Sequence, residues 1–549
     1  MVVYVDGIEY KYDNEVTYYD ILKDIKGEYY INYLGVMVEN DIIGLTMKAH
    51  DGEHIKYLSI SDREGMRIYQ TTLRFIMSYA INKLYPGLRI IYNYSVSRAI
   101  FCQIVGNIKL SNEVVLAIEN EMNKLIEDDA PIEYVRVPKA ELIDIYSKQG
   151  YKSKVEIIKA IKDVDDIASL RIGKYYNFFD SWICPSAGFV KKFKLLMYYP
   201  GIILQYPRAE LNGEIPEFQD EQVLSKYLKE QNKWGQITNA SYILEYNRMI
   251  RDGRGNELIT LCETRHNIML AELGEKIEND IENIRLICVS GPSSSGKTTF
   301  TNKLRIQLLA RGIKPLMISL DNYYRADRKY PKNPDGTPDF EHIEALDLEL
   351  FNNHMLALIN GEEVSLPEFD FKTKKVTFKK PIKLQKNQPI MIEGIHGLNE
   401  RLTKSIPSGN KFRIYIAPQA QFHIDSQNPF SLTDIRLIRR IVRDFRDRNT
   451  DPRKTIQMWD SVRRGEFKWI YPYQENADYV FNSELTYELG VLKKPAIEAL
   501  NLVTKDDPEY YVAKRLKLIM GFFENIDPKW IPVDSLIREF IGGSVFYEK

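Results

Sequence analysis

A chain of 549 residues with 44% apolar and 28% charged side chains is too long for one ordinary core and too apolar to be disordered or fibrous, so two or three globular domains are expected. A formal net charge of −1 supplies no global field for nucleic acid or an anionic membrane, so any such binding must be local. The four cysteines, Cys102, Cys184, Cys262 and Cys288, form no CxxC pair, the start MVVYVDGIEYKYDNE lacks a signal-peptide pattern, and no apolar run approaches bilayer length; the expectation is a cytoplasmic protein with neither a disulfide framework nor a cysteine zinc site.

Val3 to Val5 alternates, turns at Asp6-Gly7 and resumes at Ile8, Tyr10 and Tyr12, which predicts a hairpin. Thr17 and Asp20 stand at capping-box spacing before Ile21, Leu22 and Ile25, and strand-like runs follow at Val36 to Val38 and Ile42-Ile43; the order suits a small β-grasp domain over residues 1–60. TTLRFIMSYAINKLYPG predicts a helix from about Tyr69, stopped by Pro86-Gly87, and opens a mixed region extending to residue 235. ASYILEYNRMI and ETRHNIMLAELGEKIENDI have helical periodicity and form a connector over 236–280. A new domain is expected from 281 to 500, followed by an extension over 501–549.

That domain opens on an apolar strand, Leu286 to Val289, followed by Gly291, Pro292, Ser293, Ser294, Ser295, Gly296, Lys297 and Thr298 and then a helical segment. The spacing GxxxxGK[ST] between strand and helix is a phosphate-binding loop, in which backbone N–H groups and the helix N-terminus surround phosphate oxygens. Lys297 is suited to the β- and γ-phosphates of ATP and the Thr298 hydroxyl to Mg²⁺. A second strand, Lys314 to Leu320, ends at Asp321, either a hydroxyl-activating carboxylate or a turn residue. A later strand, Pro389 to Glu393, ends in an acid suited to Mg²⁺. Asp434 to Arg448 carries an apolar stripe at 435, 438, 442 and 445 with arginines around the rest. Such a face is ordinarily solvated, but beside a phosphate loop it can stabilise transferring charge.

Several motifs in order over residues 281 to 485 resemble the uridine kinase and phosphoribulokinase family: GPSSSGKTTF, SLDNYY, DFEHIEALD, LPEFDFKTKK, IMIEGIHGL and RLIRRIVRDFRDR. The resemblance implies an α/β P-loop kinase with a mostly parallel sheet, binding ATP through Gly291, Ser293 to Ser295, Gly296, Lys297, Thr298 and Thr299, and Mg²⁺ at Thr298 and Glu393. It implies Asp321 as base and Tyr324 as a substrate neighbour, with Glu341 and Arg440 on ribose hydroxyls, a hairpin offering Phe369, Phe371 and Lys374, and Arg443 and Arg448 facing the phosphates. Phe369 and Lys374 depart from the family's tyrosine and histidine, which leaves the base open. The N-terminal part resembles threonyl-tRNA synthetase, implying a TGS-like domain and an α+β editing-like domain, with RNA as an implied partner beside a small-molecule acceptor. Thr71 and Phe75 stand where that family's HxxxH metal ligands would be. The function expected is phosphoryl transfer from ATP to a nucleoside 5′-hydroxyl. A sugar phosphate or other small alcohol as acceptor, or an ATP-switched RNA-binding regulator, are the alternatives.

Overall fold

The computed structural model describes residues 1–549 apart from 239, 326, 328, 334–335, 371–372, 374, 420–421 and 548–549, and apart from the side chains at 224, 229–233 and 236 within a helix. The first 60 residues form a five-stranded sheet ordered Ile8–Lys11, Val2–Val5, His54–Ser59, Tyr33–Val38, Asp41–Ile43. The turn between the first two strands places Asp6 and Gly7 at φ 51° and 84°, which glycine adopts without strain. The closing strand, His54–Ser59, was not among the expected runs; it pairs parallel with the first strand and completes a β-grasp arrangement. Helix Tyr18–Lys26 is capped reciprocally: Asp20 N–H donates to Thr17 Oγ1 at 3.1 Å and Thr17 N–H to Asp20 Oδ2 at 2.9 Å.

The helix predicted from Tyr69 begins instead at Arg63 and runs to Leu84, stopping before Pro86-Gly87 as expected. Its first turn is polar and shows no apolar period. It is held from outside: Glu64 accepts from Arg515 at 2.7 Å. Around it lie an antiparallel sheet ordered Lys194–Tyr198, Gly201–Gln205, Ala99–Val105, Arg89–Val96 and a three-stranded sheet of Tyr175–Asn177, Asp166–Ile172 and Glu133–Pro138. One hydrophobic cluster extends from Val3 to Tyr206 through both sets of elements.

The second half is built on five parallel strands ordered Leu316–Ser319, Ile390–Glu393, Leu286–Ser290, Lys411–Ala417, Tyr479–Asn482. The strand Leu286–Ser290 is buried at every residue because helices cover both faces. Parallel pairing brings the C-terminal ends of all five strands to one edge, where open α/β sheets bind ligands. Its main cluster includes Leu258 and Leu270 from the helix Gly255–Asn279, and also Leu516, Leu536 and Phe540 from beyond residue 500. The two halves meet through charge. Asp434 accepts from Arg67 at 2.8 Å and from Arg515 at 3.1 Å, and these arginines hold its carboxyl well below the usual range. Buried Lys154 pairs with Asp425 at 3.0 Å. Among the described residues, no helix is long and apolar enough to cross a membrane.

Candidate active site

The loop between Ser290 and the helix Lys297–Leu309 turns through Ser294 at φ 60° and Gly296 at φ 87°. Gly291 passes so close to the Ile416 carbonyl that a Cβ would collide with backbone, which explains the glycine. Ser294 and Ser295 bury their hydroxyl oxygens without a hydrogen-bond partner. Such orphaned groups are costly unless something binds them. The Lys297 ammonium folds back onto its own loop, donating to the carbonyls of Gly291 and Pro292, each at 3.0 Å. Burial pushes its pKa down, opposed by Glu393, Glu539 and Asp321.

Glu393 ends its strand in register with Val289 on one side and Ser319 on the other. It therefore stands between the loop strand and the strand leading to Asp321. Burial and the neighbouring Asp321 push the Glu393 carboxyl up to about 7, and Ser319 Oγ donates to it at 2.8 Å. The predicted second strand is shorter than expected, Leu316–Ser319, and Asp321 falls in the 3₁₀ turn Leu320–Tyr323. Solvent reaches Asp321, but protein walls the cleft and raises its pKa against Lys297, Arg448 and Arg443. Two carboxylates and a lysine thus interact across one cleft. Among the described residues no cluster of three His, Cys, Asp or Glu side chains surrounds a common point, but Mg²⁺ takes much of its shell from water and phosphate. The hydroxyl of Thr298 and the carboxylate of Glu393 fit that need.

Among the residues expected to face an acceptor, burial raises Glu341 to about 7, with Arg440 the main opposing charge. The Tyr324 hydroxyl donates to the Phe340 carbonyl at 3.0 Å, and its ring lies 5.7 Å from Phe369. Phe369 N–H donates to Asn322 Oδ1 at 3.2 Å, tying the hairpin strand Pro367–Asp370 to the turn bearing Asp321. Phe371 and Lys374, also expected to face substrate, lie outside the described residues.

The helix Leu432–Arg448 differs from the one-stripe expectation: Arg436, Arg439 and Arg440 are buried with the aliphatic residues. Arg436 pairs with Glu466 and donates to the Ser293 carbonyl at 2.9 Å. Arg439 pairs with Glu488 and donates to the Ser294 carbonyl at 3.3 Å. These two arginines, which the sequence did not single out, bind the loop backbone directly. Arg440 reaches Ser293 Oγ at 3.1 Å. Asp444 gathers Arg440 at 3.3 Å, Arg443 at 2.9 Å and Arg448 at 3.4 Å. His396 is buried, its pKa pushed down to about 3 by burial and by His342 against a backbone contact from Glu341.

Also unforeseen is the C-terminal segment, which reaches this site: Thr299 Oγ1 donates to Glu539 at 2.9 Å, and the Tyr547 hydroxyl lies 3.0 Å from the same oxygen. No local motif marks these residues, because their partner is 240 residues away.

In the N-terminal half, Thr71 Oγ1 donates to the Arg67 carbonyl at 2.9 Å and accepts from Arg74 at 3.1 Å. Phe75 is fully buried, 5.8 Å from the Tyr175 ring and 6.2 Å from Phe179. Nearby Cys184 has its thiol pushed up to about 12 by burial. Thr71 and Phe75 place no imidazole at the two helix positions.

The phosphoribulokinase/uridine kinase family matches residues 286–489. The chain is 29% identical over 197 residues to the uridine kinase of Mycoplasma genitalium, covering 36% of this chain and 83% of that one. It is 26% identical over 218 residues to the uridine kinase of Deinococcus deserti, covering 39% and 93%. A separate similarity, 26% over 191 residues, is to the threonine–tRNA ligase of Caldanaerobacter subterraneus, covering 35% of this chain and 30% of the ligase. The chain spans about a third of the length of the threonine–tRNA ligases it matches.

Proposed function

We propose that the protein transfers the γ-phosphate of ATP to the 5′-hydroxyl of a nucleoside, uridine or cytidine foremost, a reading supported by the phosphoribulokinase/uridine kinase family match over residues 286–489. The observation carrying this reading is the convergence of Lys297, Asp321 and Glu393 where neighbouring parallel strands end, each with its pKa displaced by burial and with Lys297 opposed to both acids.

Asp321, its carboxyl raised above the ordinary value by the walled cleft against Lys297, Arg448 and Arg443, takes the proton of the attacking hydroxyl. Glu341 and Arg440 hold the ribose hydroxyls, with Tyr324 and Phe369 against the nucleoside. The Gly291–Thr299 loop binds the phosphates, Lys297 turning from its own carbonyls toward the β- and γ-phosphates, while Arg443 and Arg448 leave Asp444 for the transferring group. Thr298 and Glu393 would hold Mg²⁺, which supplies charge neutralisation on the phosphates when bound. The roles follow the general logic of phosphoryl transfer, in which positioning and charge do most of the work.

The test is a panel of nucleosides, 2′-deoxynucleosides and sugar phosphates with ATP and Mg²⁺, following ADP and phosphorylated product. A ribonucleoside monophosphate is expected. Asp321→Asn should bind ATP as the parent does and turn over roughly a hundredfold more slowly or worse. Product from sugar phosphates alone, or full kcat in Asp321→Asn, would overturn the reading.

A further inference from the structure

The groups that a phosphate loop offers a nucleotide are the free N–H groups of the first helical turn and the hydroxyls beside them. In this chain one such pair is taken. Glu539 Oε2 accepts from the Thr299 amide at 3.3 Å and from Thr299 Oγ1 at 2.9 Å, and the Tyr547 hydroxyl closes over that Oγ1 at 3.0 Å. An anionic oxygen therefore sits where the N-terminus of the helix Lys297–Leu309 favours negative charge.

The segment bearing Glu539 is firmly placed. Leu536, Ile537 and Phe540 are buried, and Leu536 fills the space a side chain at Gly296 would need. Lys303 donates to Asp534 at 3.0 Å, while Arg446 donates to the carbonyls of Phe540 and, at 3.3 Å, of Glu539. Beyond it come Gly542 and Gly543 at φ 91° and 70°, a backbone that other residues rarely adopt. Residues 544–547 follow, with Val545 and Tyr547 exposed. The Glu539 side chain and residues 544–547 lie at the edge of this packing, the end being tied back by the Val545 amide, which donates to the Val533 carbonyl at 3.0 Å.

Resting on the kinase reading above, we propose that Glu539 is a built-in competitor of the nucleotide: its carboxylate occupies the Thr299 amide and hydroxyl in place of a phosphate oxygen, and ATP binds only as Glu539 and residues 544–547 withdraw about Gly542-Gly543. The physical requirement is plain. A carboxylate and a phosphate oxygen cannot share the same two donors, and at contact in a water-poor site their like charges repel strongly. Glu539 also adds to the negative field already set by Asp321 and Glu393 around Lys297. The apparent ATP affinity of the resting protein is then reduced by the fraction of molecules with Glu539 withdrawn. A ligand or protein drawing the C-terminal end away would raise it.

The experiment is calorimetric titration of a non-hydrolysable ATP analogue with Mg²⁺ into the full chain, its Glu539→Ala, Glu539→Gln and Lys297→Ala variants, with melting curves to verify folding. Glu539→Ala should bind roughly three- to thirtyfold more tightly, and Glu539→Gln, which keeps an acceptor but loses the charge, by less. Hydrogen exchange in residues 541–547 should quicken when the analogue is added. Unchanged affinity in both Glu539 variants would make the contact a helix cap, and weaker binding would make Glu539 part of the nucleotide site. Either overturns the proposal. Failure of the kinase reading would look different: Lys297→Ala would bind the analogue as well as the parent does.

Discussion

Two helices in this chain begin from equivalent grammar, a strand followed by a turn into a helix, yet they are finished in opposite ways. At Lys297–Leu309 the surrounding groups are left wanting: Ser294 and Ser295 have no partner, Lys297 is folded onto its own loop, and Asp321 and Glu393 are crowded together above their ordinary pKa. At Arg63–Leu84 the positions corresponding to the synthetase ligands are settled. Thr71 is hydrogen-bonded on both sides and Phe75 is packed among rings. Dissatisfaction in a buried site has a free-energy cost that folding alone does not recover, so it marks where a ligand is expected. Complete satisfaction marks scaffold.

The comparison breaks most sharply at Lys297. Removing its charge from the phosphate site should lower turnover by roughly three orders of magnitude while leaving the melting temperature near the parent's; steady-state rates and a melt on the same preparation decide it, and near-parental turnover would remove the site from this loop. The converse change is Phe75→Ala. Emptying a fully buried aromatic position should cost about 3–5 kcal/mol of stability, measured by urea unfolding, with turnover per folded molecule unchanged. A specific loss of turnover without loss of stability would mean that the first helix still carries chemistry.

The smallest effect concerns Glu393, held near 7 against an ordinary 4.5. Between those values the folded protein keeps a proton that the unfolded chain releases, so this group makes the free protein more stable as pH falls from 8 toward 5. Its destabilising contribution is full above pH 7. Comparing melting temperatures of the parent and Glu393→Gln across that window should show the variant gaining about one to three degrees at pH 8 and the difference vanishing by pH 5. A constant difference would detach Glu393 from the buried corner.

Much of the site was legible in advance. The phosphate loop is a local object: its glycines, its strand and its helix lie within about 25 residues, and each residue type answers a need of its immediate neighbours. The capping box at Thr17 and Asp20 and the stop at Pro86-Gly87 were readable for the same reason. The helix start at Arg63 was not, because its polar first turn is held by Arg515. The arginine helix was misread in part: a stripe of four apolar residues suggests one buried face, whereas Arg436 and Arg439 are buried by acids supplied from Glu466 and Glu488.

The sequence by itself determined the parallel-sheet domain, the phosphate loop and the candidate acids, since backbone geometry and hydrophobic period are set by residues a few positions apart. Tertiary structure alone decided which charges meet. It put Asp434 between Arg67 of the other half and Arg515 of its own, brought Arg436 and Arg439 under the loop, and set Glu539 on Thr299. A charged side chain does not announce its partner along the chain. Its pairing depends on which surfaces the core brings together, and that is known only once the hydrophobic clusters have closed.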